Sequence, residues 1–301
     1  MYNCILVPLD GSRTAEQALP YARWLAESFR ISIELLAVID TEAFTAAVSI
    51  DRAHSATIMQ EEEIGRAKNY LDSISRRLPG LTVKSFVKRG YAAEIIVEEA
   101  EKDKNILITM ATHGRSGLKR WLLGSTAEKI VRGARNPVFL VRANEKAENR
   151  NVVGFKTVIV PLDGSEVAES ILPSVVDLAK ALNLDVLLMR SFSVPASLYV
   201  GDEGYYPIDI EQDRKQFEAE ARAYLTKKQD ELTGPGMGNV ATICPEGYAA
   251  DEITTLSQRT PGAMIAMCTH GRSGISRWAM GSVTETVVHH AQVPVLIRRA
   301  S

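Results

Sequence analysis

The chain has 301 residues, 46% of them hydrophobic and 24% charged, with a formal net charge of −2. Those values fit a globular protein with room for two domains of ordinary size, and the near-neutral balance argues against a nucleic-acid binder. No apolar run approaches the about 18 residues of a membrane helix, Met1-Tyr2-Asn3 passes into a strand pattern without a signal peptide, and three cysteines (Cys4, Cys244, Cys268) without metal-type spacing fit a reducing cytoplasm.

In chain order, Cys4–Leu9 reads as an apolar strand ending in Pro8-Leu9-Asp10-Gly11-Ser12, with Ser12 placed to cap the next helix. Ala15, Ala18, Leu19, Ala22 and Leu25 recur at helical spacing, and Ile31–Ile39 is a second β-rich run. Residues 40 to about 56 have no clear period. A charged helical pattern from Thr57 to Leu78 is closed by Pro79-Gly80. Leu81–Val87 alternates as a strand, and Gly90-Tyr91-Ala92-Ala93 turns it into a helix reaching about Asp103. Ile106–Ala111 is a fourth strand, and Pro137–Val141 is a fifth, after one more helix. Strands alternating with helices imply parallel pairing and a sheet covered on both faces.

A polar stretch follows, and then the programme restarts. Val158-Ile159-Val160-Pro161-Leu162-Asp163-Gly164-Ser165 repeats the opening strand and turn, and Gly247-Tyr248-Ala249-Ala250 repeats the second turn. Thr-His-Gly-Arg-Ser-Gly occurs at 112–117 and again at 269–274, each time seven residues before Gly-Ser (Gly124-Ser125, Gly281-Ser282). The chain reads as a tandem duplication: a domain over 1–143, a linker over 144–153 and a second domain over 154–301. The second copy carries a long aromatic-rich excursion between Phe192 and Ile210, containing Tyr199, Tyr205 and Tyr206, of the kind that forms lids or partner surfaces or is merely irregular.

The repeated loop is the main functional clue. Gly114, Gly117 and Gly124 let backbone N–H groups come close to a ligand, and the start of the following helix adds unpaired donors and the positive end of its dipole. His113, Arg115, Lys119 and Arg120 lie in the same loop, as His270, Arg272, Gly274 and Arg277 do in the second copy. The pattern suits an anion. A purely structural reading stands beside it, because Ser125-x-x-Glu128 and Ser282-x-x-Glu285 have the form of capping boxes, Asp-Gly favours turns, and Trp121 and Trp278 are suited to anchoring the loop.

Both halves resemble the universal stress protein family, through Val-Pro-Leu-Asp-Gly-Ser, Gly-Tyr-Ala-Ala, the Thr-His-Gly-Arg-Ser-Gly loop with its Gly-Ser, and the closing Pro-Val strand. The resemblance implies two open five-stranded parallel sheets of the Rossmann-like α/β class, order 3-2-1-4-5, paired through their fifth strands. It also implies ATP, or ADP or AMP, in one branch of the family, with Mg²⁺ as a companion of the phosphates. That branch's G-x2-G-x9-G-[ST] pattern is matched by Gly114 and Gly124-Ser125, and by Gly271 and Gly281-Ser282, but its first glycine is Ala111 here and Cys268 in the second half. Such a side chain is harmless if the residue ends an extended strand and crowds the ligand if its φ is positive.

Carried over residue by residue, the resemblance implies that Pro8, Asp10, Val38, Ala111, His113, Gly114, Arg115, Gly117, Gly124, Ser125 and Thr126 surround a nucleotide. Asp10 would meet the ribose, Val38 the adenine, and Gly114, Gly124, Ser125 and Thr126 the phosphates. The second-half set is Pro161, Asp163, Gly271, Arg272, Gly274, Gly281, Ser282 and Val283, with Arg190 read in the place of Val38, where a long cation would either block adenine or reach a different anion. The first half is therefore the better nucleotide site. There is no GxxxxGK[ST], no paired carboxylates and no nucleophile elbow, so hydrolysis is at most slow. The expectation is a nucleotide-responsive regulatory module in stress response, cytoplasmic, with protein partners unnamed and a homodimer of the pseudo-dimer left open. A non-nucleotide scaffold and a slow ATP hydrolase are the rivals.

Overall fold

The computed structural model describes residues 2–40, 53–112, 123–142, 154–194, 210–269 and 280–299, with the backbone alone at 53–60 and 210. The first half runs β1 (Cys4–Pro8), a 3-10 turn (Ala15–Ala18), α1 (Leu19–Phe29), β2 (Ser32–Ile39), α2 (Ala53–Arg76), β3 (Val83–Arg89), α3 (Ala92–Glu101), β4 (Ile106–Ala111), α4 (Ser125–Gly133) and β5 (Val138–Val141). The second half repeats it as β6 (Thr157–Pro161), α5 (Glu166–Glu169), α6 (Leu172–Leu182), β7 (Asp185–Met189), α7 (Ile210–Leu232), β8 (Val240–Ile243), α8 (Ala249–Arg259), β9 (Ala263–Cys268), α9 (Ser282–His290) and β10 (Val295–Arg298).

All ten strands form one sheet, in the order β3-β2-β1-β4-β5-β10-β9-β6-β7-β8. Pairing is parallel within each half, and β5 meets β10 antiparallel, with Leu140 opposite Val295 and Val138 opposite Ile297. The expected order and the expected pairing of the fifth strands are both present. The residues explain why. β4 and β9 are buried at every position, as unbroken apolar runs in a sheet covered on both faces should be, whereas β3, at an edge, carries Lys84, Lys88 and Arg89 and has no fully buried residue.

Two apolar layers sandwich the sheet, and each is continuous across the β5–β10 seam. One joins Leu25, Ile5 and Phe139 to Val175, Leu178 and Leu296; the other joins Ile96, Ile108 and Ile130 to Ile253, Ile265 and Val287. Phe155, just before β6, reaches into the first half, with its ring 5.9 Å from Tyr21, 5.2 Å from Trp24 and 6.2 Å from Phe139. Among the described residues no helix is long and apolar enough to cross a membrane. The linker expected at 144–153 and the tyrosines 199, 205 and 206 lie outside the described residues.

Candidate functional site

Strand order reverses between β1 and β4, so the loops leaving their carboxyl ends diverge and leave a crevice. In the first half that crevice is a cleft of about 320 Å³. Pro8 and Asp10 lie at the end of β1, Leu36 and Val38 in β2, Met110, Ala111 and Thr112 at the end of β4, Ala92 and Ile96 on α3, and Gly124, Ser125 and Thr126 at the start of α4. The structure thus gathers Pro8, Asp10, Val38, Ala111, Gly124, Ser125 and Thr126 as expected. His113, Gly114, Arg115, Gly117, Gly271, Arg272 and Gly274 lie outside the described residues, as do Lys119, Arg120, Trp121, His270, Arg277 and Trp278.

The base of the loop is fixed by backbone bonds. Thr112 N–H donates to Val141 O at 2.9 Å, and Gly124 N–H donates to Thr112 O at 2.9 Å; Thr269 and Gly281 repeat the arrangement. Ala111 is the last residue of an extended strand, paired with Val141, and is not among the positive-φ residues. The side chain in place of the family's glycine is therefore accommodated without backbone strain.

The capping-box expectation is corrected by the helix boundary. Gly124 (φ −61°, ψ 145°), not Ser125, is the N-cap of α4, and as a glycine it brings no side-chain cap; Gly281 does the same for α9. Glu128 pairs instead with Arg132 at 2.8 Å. Ser125 and Thr126 sit in the first helical turn, where backbone N–H groups have no helical acceptor and the dipole is positive. Glycine and serine are both apt at a helix start, so Gly124-Ser125 and Gly281-Ser282 leave the sequence undecided about which residue is the cap.

Asp10 has a definite structural task. Its Oδ1 accepts from Ser12 N–H at 2.9 Å and from Ser12 Oγ at 2.6 Å, and Ser12 Oγ in turn accepts from Ala15 N–H at 3.1 Å. Asp163 and Ser165 repeat this turn, with Ser165 capping α5 through Ala168 N–H. Behind each turn lies a tie that sequence reading missed. Tyr70 of α2 donates to Glu16 at 3.2 Å and Tyr224 of α7 to Glu169 at 2.8 Å; Arg77 and Lys228, respectively, complete the two sets. Burial and the carboxylate acceptors push both tyrosine hydroxyls above their ordinary range. The partners are 54 and 55 residues apart, so only the repetition of Tyr and Glu in both halves could have hinted at them.

A second correction concerns Arg190. Pro8 pairs with Leu36 and Pro161 with Met189, so Arg190 matches Ala37, and Ser191, not Arg190, stands in the place of Val38. Alternation along the strand sends Arg190 to the opposite face, where its guanidinium lies 4.7 Å from the Tyr224 ring centroid. The second half differs at the cleft in other ways. Cys268 replaces Ala111 and lies 3.2 Å from Ser170 Oγ, Val283 replaces Thr126, and Thr284 replaces Ala127 and donates to Cys268 O at 2.9 Å. Burial raises the Cys268 thiol above its usual range, although Ser170 and Arg298 act the other way.

A family model described as the universal stress protein family matches residues 1–142 and 154–299. A universal stress protein of Methanocaldococcus jannaschii is 31% identical over 146 residues, covering 48% of this chain and 85% of the relative. One of Mycobacterium tuberculosis is 22% identical over 302 residues, covering 99% of this chain and 97% of the relative. Among solved structures, a universal stress protein from Archaeoglobus fulgidus superposes with a TM-score of 0.66 at 20% identity, covering 99% of this chain and 97% of that one.

Proposed function

The chain belongs to the universal stress protein family in a tandem two-domain form, and from that premise we propose that it is a nucleotide-responsive regulatory module whose first half binds ATP. The observation that carries this reading is the uncapped first turn of α4 opening into the cleft at the strand reversal. The cleft has the volume of a small-molecule site, about 300–1,000 Å³ in general. Its walls suit the parts of a nucleotide: Val38, Leu36 and Ile96 are apolar, Asp10 brings a carboxylate, and Ser125 and Thr126 supply donors at a positive helix end. Mg²⁺ accompanies the phosphates, and ADP or AMP would use the same walls. In this proposal the domains divide as 1–143 and 154–301.

The second half is not a matching nucleotide site in this proposal. Val283 lacks the hydroxyl of Thr126, and Cys268 adds a sulfur where the first half has a methyl group. Hydrolysis is slow at best, and turnover is not the output; occupancy of the first cleft changes the surface offered to partner proteins in the cytoplasm.

Calorimetric titration with ATP and Mg²⁺ tests the reading on the wild type, Gly124→Trp and Gly281→Trp. Both glycines have extended backbone that any residue adopts, so an indole at either position brings no backbone strain. One molecule of ATP per chain, lost in Gly124→Trp and retained in Gly281→Trp, is expected. Failure of the wild type to bind at millimolar ATP, with protein shown free of carried-over nucleotide, refutes it in favour of a scaffold acting through protein contacts.

A further inference from the structure

The helices α4 and α9 face each other across the seam and are locked by exchanged arginines. Arg142 donates to the carbonyls of Ala291 at 2.9 Å and His290 at 3.3 Å, at the end of α9. Arg299 returns the contact to Gly133 O at 3.2 Å, at the end of α4. Each arginine thus meets the electronegative end of the other half's helix, the end opposite to the one that opens on a cleft.

One contact between these helices has no counterpart. Leu123 N–H, immediately ahead of Gly124, donates to Nδ1 of His289 in the last turn of α9, at 3.3 Å. Leu123 is buried, so its amide needs a protein acceptor. The position in α4 that matches His289 is Arg132, which pairs with Glu128 at 2.8 Å and lies 3.8 Å from Glu285. A guanidinium has no lone pair to offer, so it cannot receive the amide of Met280, the counterpart of Leu123.

We infer that His289 is a positioning residue for the phosphate-binding turn of the first half, so that this site is completed by the second half. With Leu123 N–H held by His289 and Gly124 N–H held by Thr112 O, two successive peptides are fixed, and the first turn of α4 is presented to the cleft in one orientation. At the matching place in the second half Arg132 offers Met280 no such acceptor. This inference rests on the proposal that the first cleft takes nucleotide phosphates.

The test uses the full chain and two variants, read by ATP titration with Mg²⁺ and by hydrogen exchange at the Leu123 amide. His289→Arg removes the acceptor and installs the other half's residue; His289→Asn places an amide oxygen near the position of Nδ1. His289→Arg is expected to bind ATP about three- to ten-fold more weakly, the value of one hydrogen bond, and to exchange Leu123 faster, while His289→Asn stays close to wild type in both. Exchange at Leu123 unchanged in His289→Arg overturns the inference, and so does equal loss of binding in both variants, which would mean that the histidine only fills space. A wild-type chain that binds no ATP refutes the nucleotide proposal, and the exchange measurement still decides whether His289 holds the loop.

Discussion

Replacing Thr126 by valine, the residue that stands at the matching position 283, isolates the chemistry proposed for the first turn of α4. The substitution exchanges a hydroxyl for a methyl group of nearly equal volume, and it leaves the backbone N–H groups, the N-cap and the cleft walls unchanged. If phosphate oxygens rest on this turn, the variant loses one hydrogen bond to a charged acceptor, a contact in the range of about 1.5–3 kcal/mol. Thr126 is only half-buried, so screening by water favours the lower end, and about 1.5 kcal/mol corresponds to a roughly ten-fold rise in Kd. Calorimetric titration with ATP and Mg²⁺ reads this directly. Thermal unfolding without ligand serves as the control and is expected to change little, because the fold already carries valine there in its other half. A wild type that binds ATP and a variant whose Kd stays within about two-fold would refute placement of the phosphates on α4.

Arg190→Ala is expected to leave the affinity and stoichiometry of ATP unchanged and to lower stability by about 0.5–1 kcal/mol through loss of the Tyr224 contact; altered binding would return Arg190 to the cleft. Although burial opposes it, Lys228 and Tyr224 hold the Glu169 carboxyl below its ordinary range, so its contribution to stability is present above about pH 4.3 and is lost as pH falls below that value. Lys228→Met should therefore cost about 1 kcal/mol at neutral pH and progressively less in acid, as followed by denaturant unfolding. Arg30 closes α1 in a left-handed conformation, φ 57° and ψ 47°, while exposed to solvent. Arg30→Gly is expected to raise stability by about 1 kcal/mol, since glycine takes that conformation without the Cβ penalty, and a lower Tm would refute this. Phe155→Ala removes three aromatic contacts between the halves and, for a half-buried ring, should cost about 2 kcal/mol in unfolding free energy.

Much of the fold was legible because the repeat prints each signal twice. The apolar runs of β1, β4 and β5 and the Gly-Tyr-Ala-Ala turns carry the element order, and the strand order 3-2-1-4-5 implied by the resemblance sets the ends of β1 and β4 side by side. What sequence could not supply is whatever depends on a partner far along the chain. The assignment of Arg190 to the place of Val38 slipped by one residue, and a slip of one in a strand turns every side chain to the other face; only the pairing of Pro161 with Met189 settles it. The cap of α4 slipped by one for a related reason, since glycine and serine both end helices and only backbone angles separate them. Leu36, Ala92, Ile96 and Met110 went unassigned as cleft walls because they also satisfy every rule for ordinary core residues. The bond from Leu123 to His289 spans 166 residues and leaves no local trace.

The antiparallel meeting of β5 and β10 has a consequence for how this molecule can diverge. When two identical chains meet about a two-fold axis, every substitution is made twice, and a residue useful on one side must be tolerated on the other. Here both strands belong to one polypeptide, so their association is unimolecular and survives any dilution, and each position on either side of the axis mutates alone. Histidine can stand at 289 while arginine stands at 132, and cysteine at 268 while alanine stands at 111. One polypeptide therefore keeps the architecture of a symmetric pair while its two halves are free to become receptor and support.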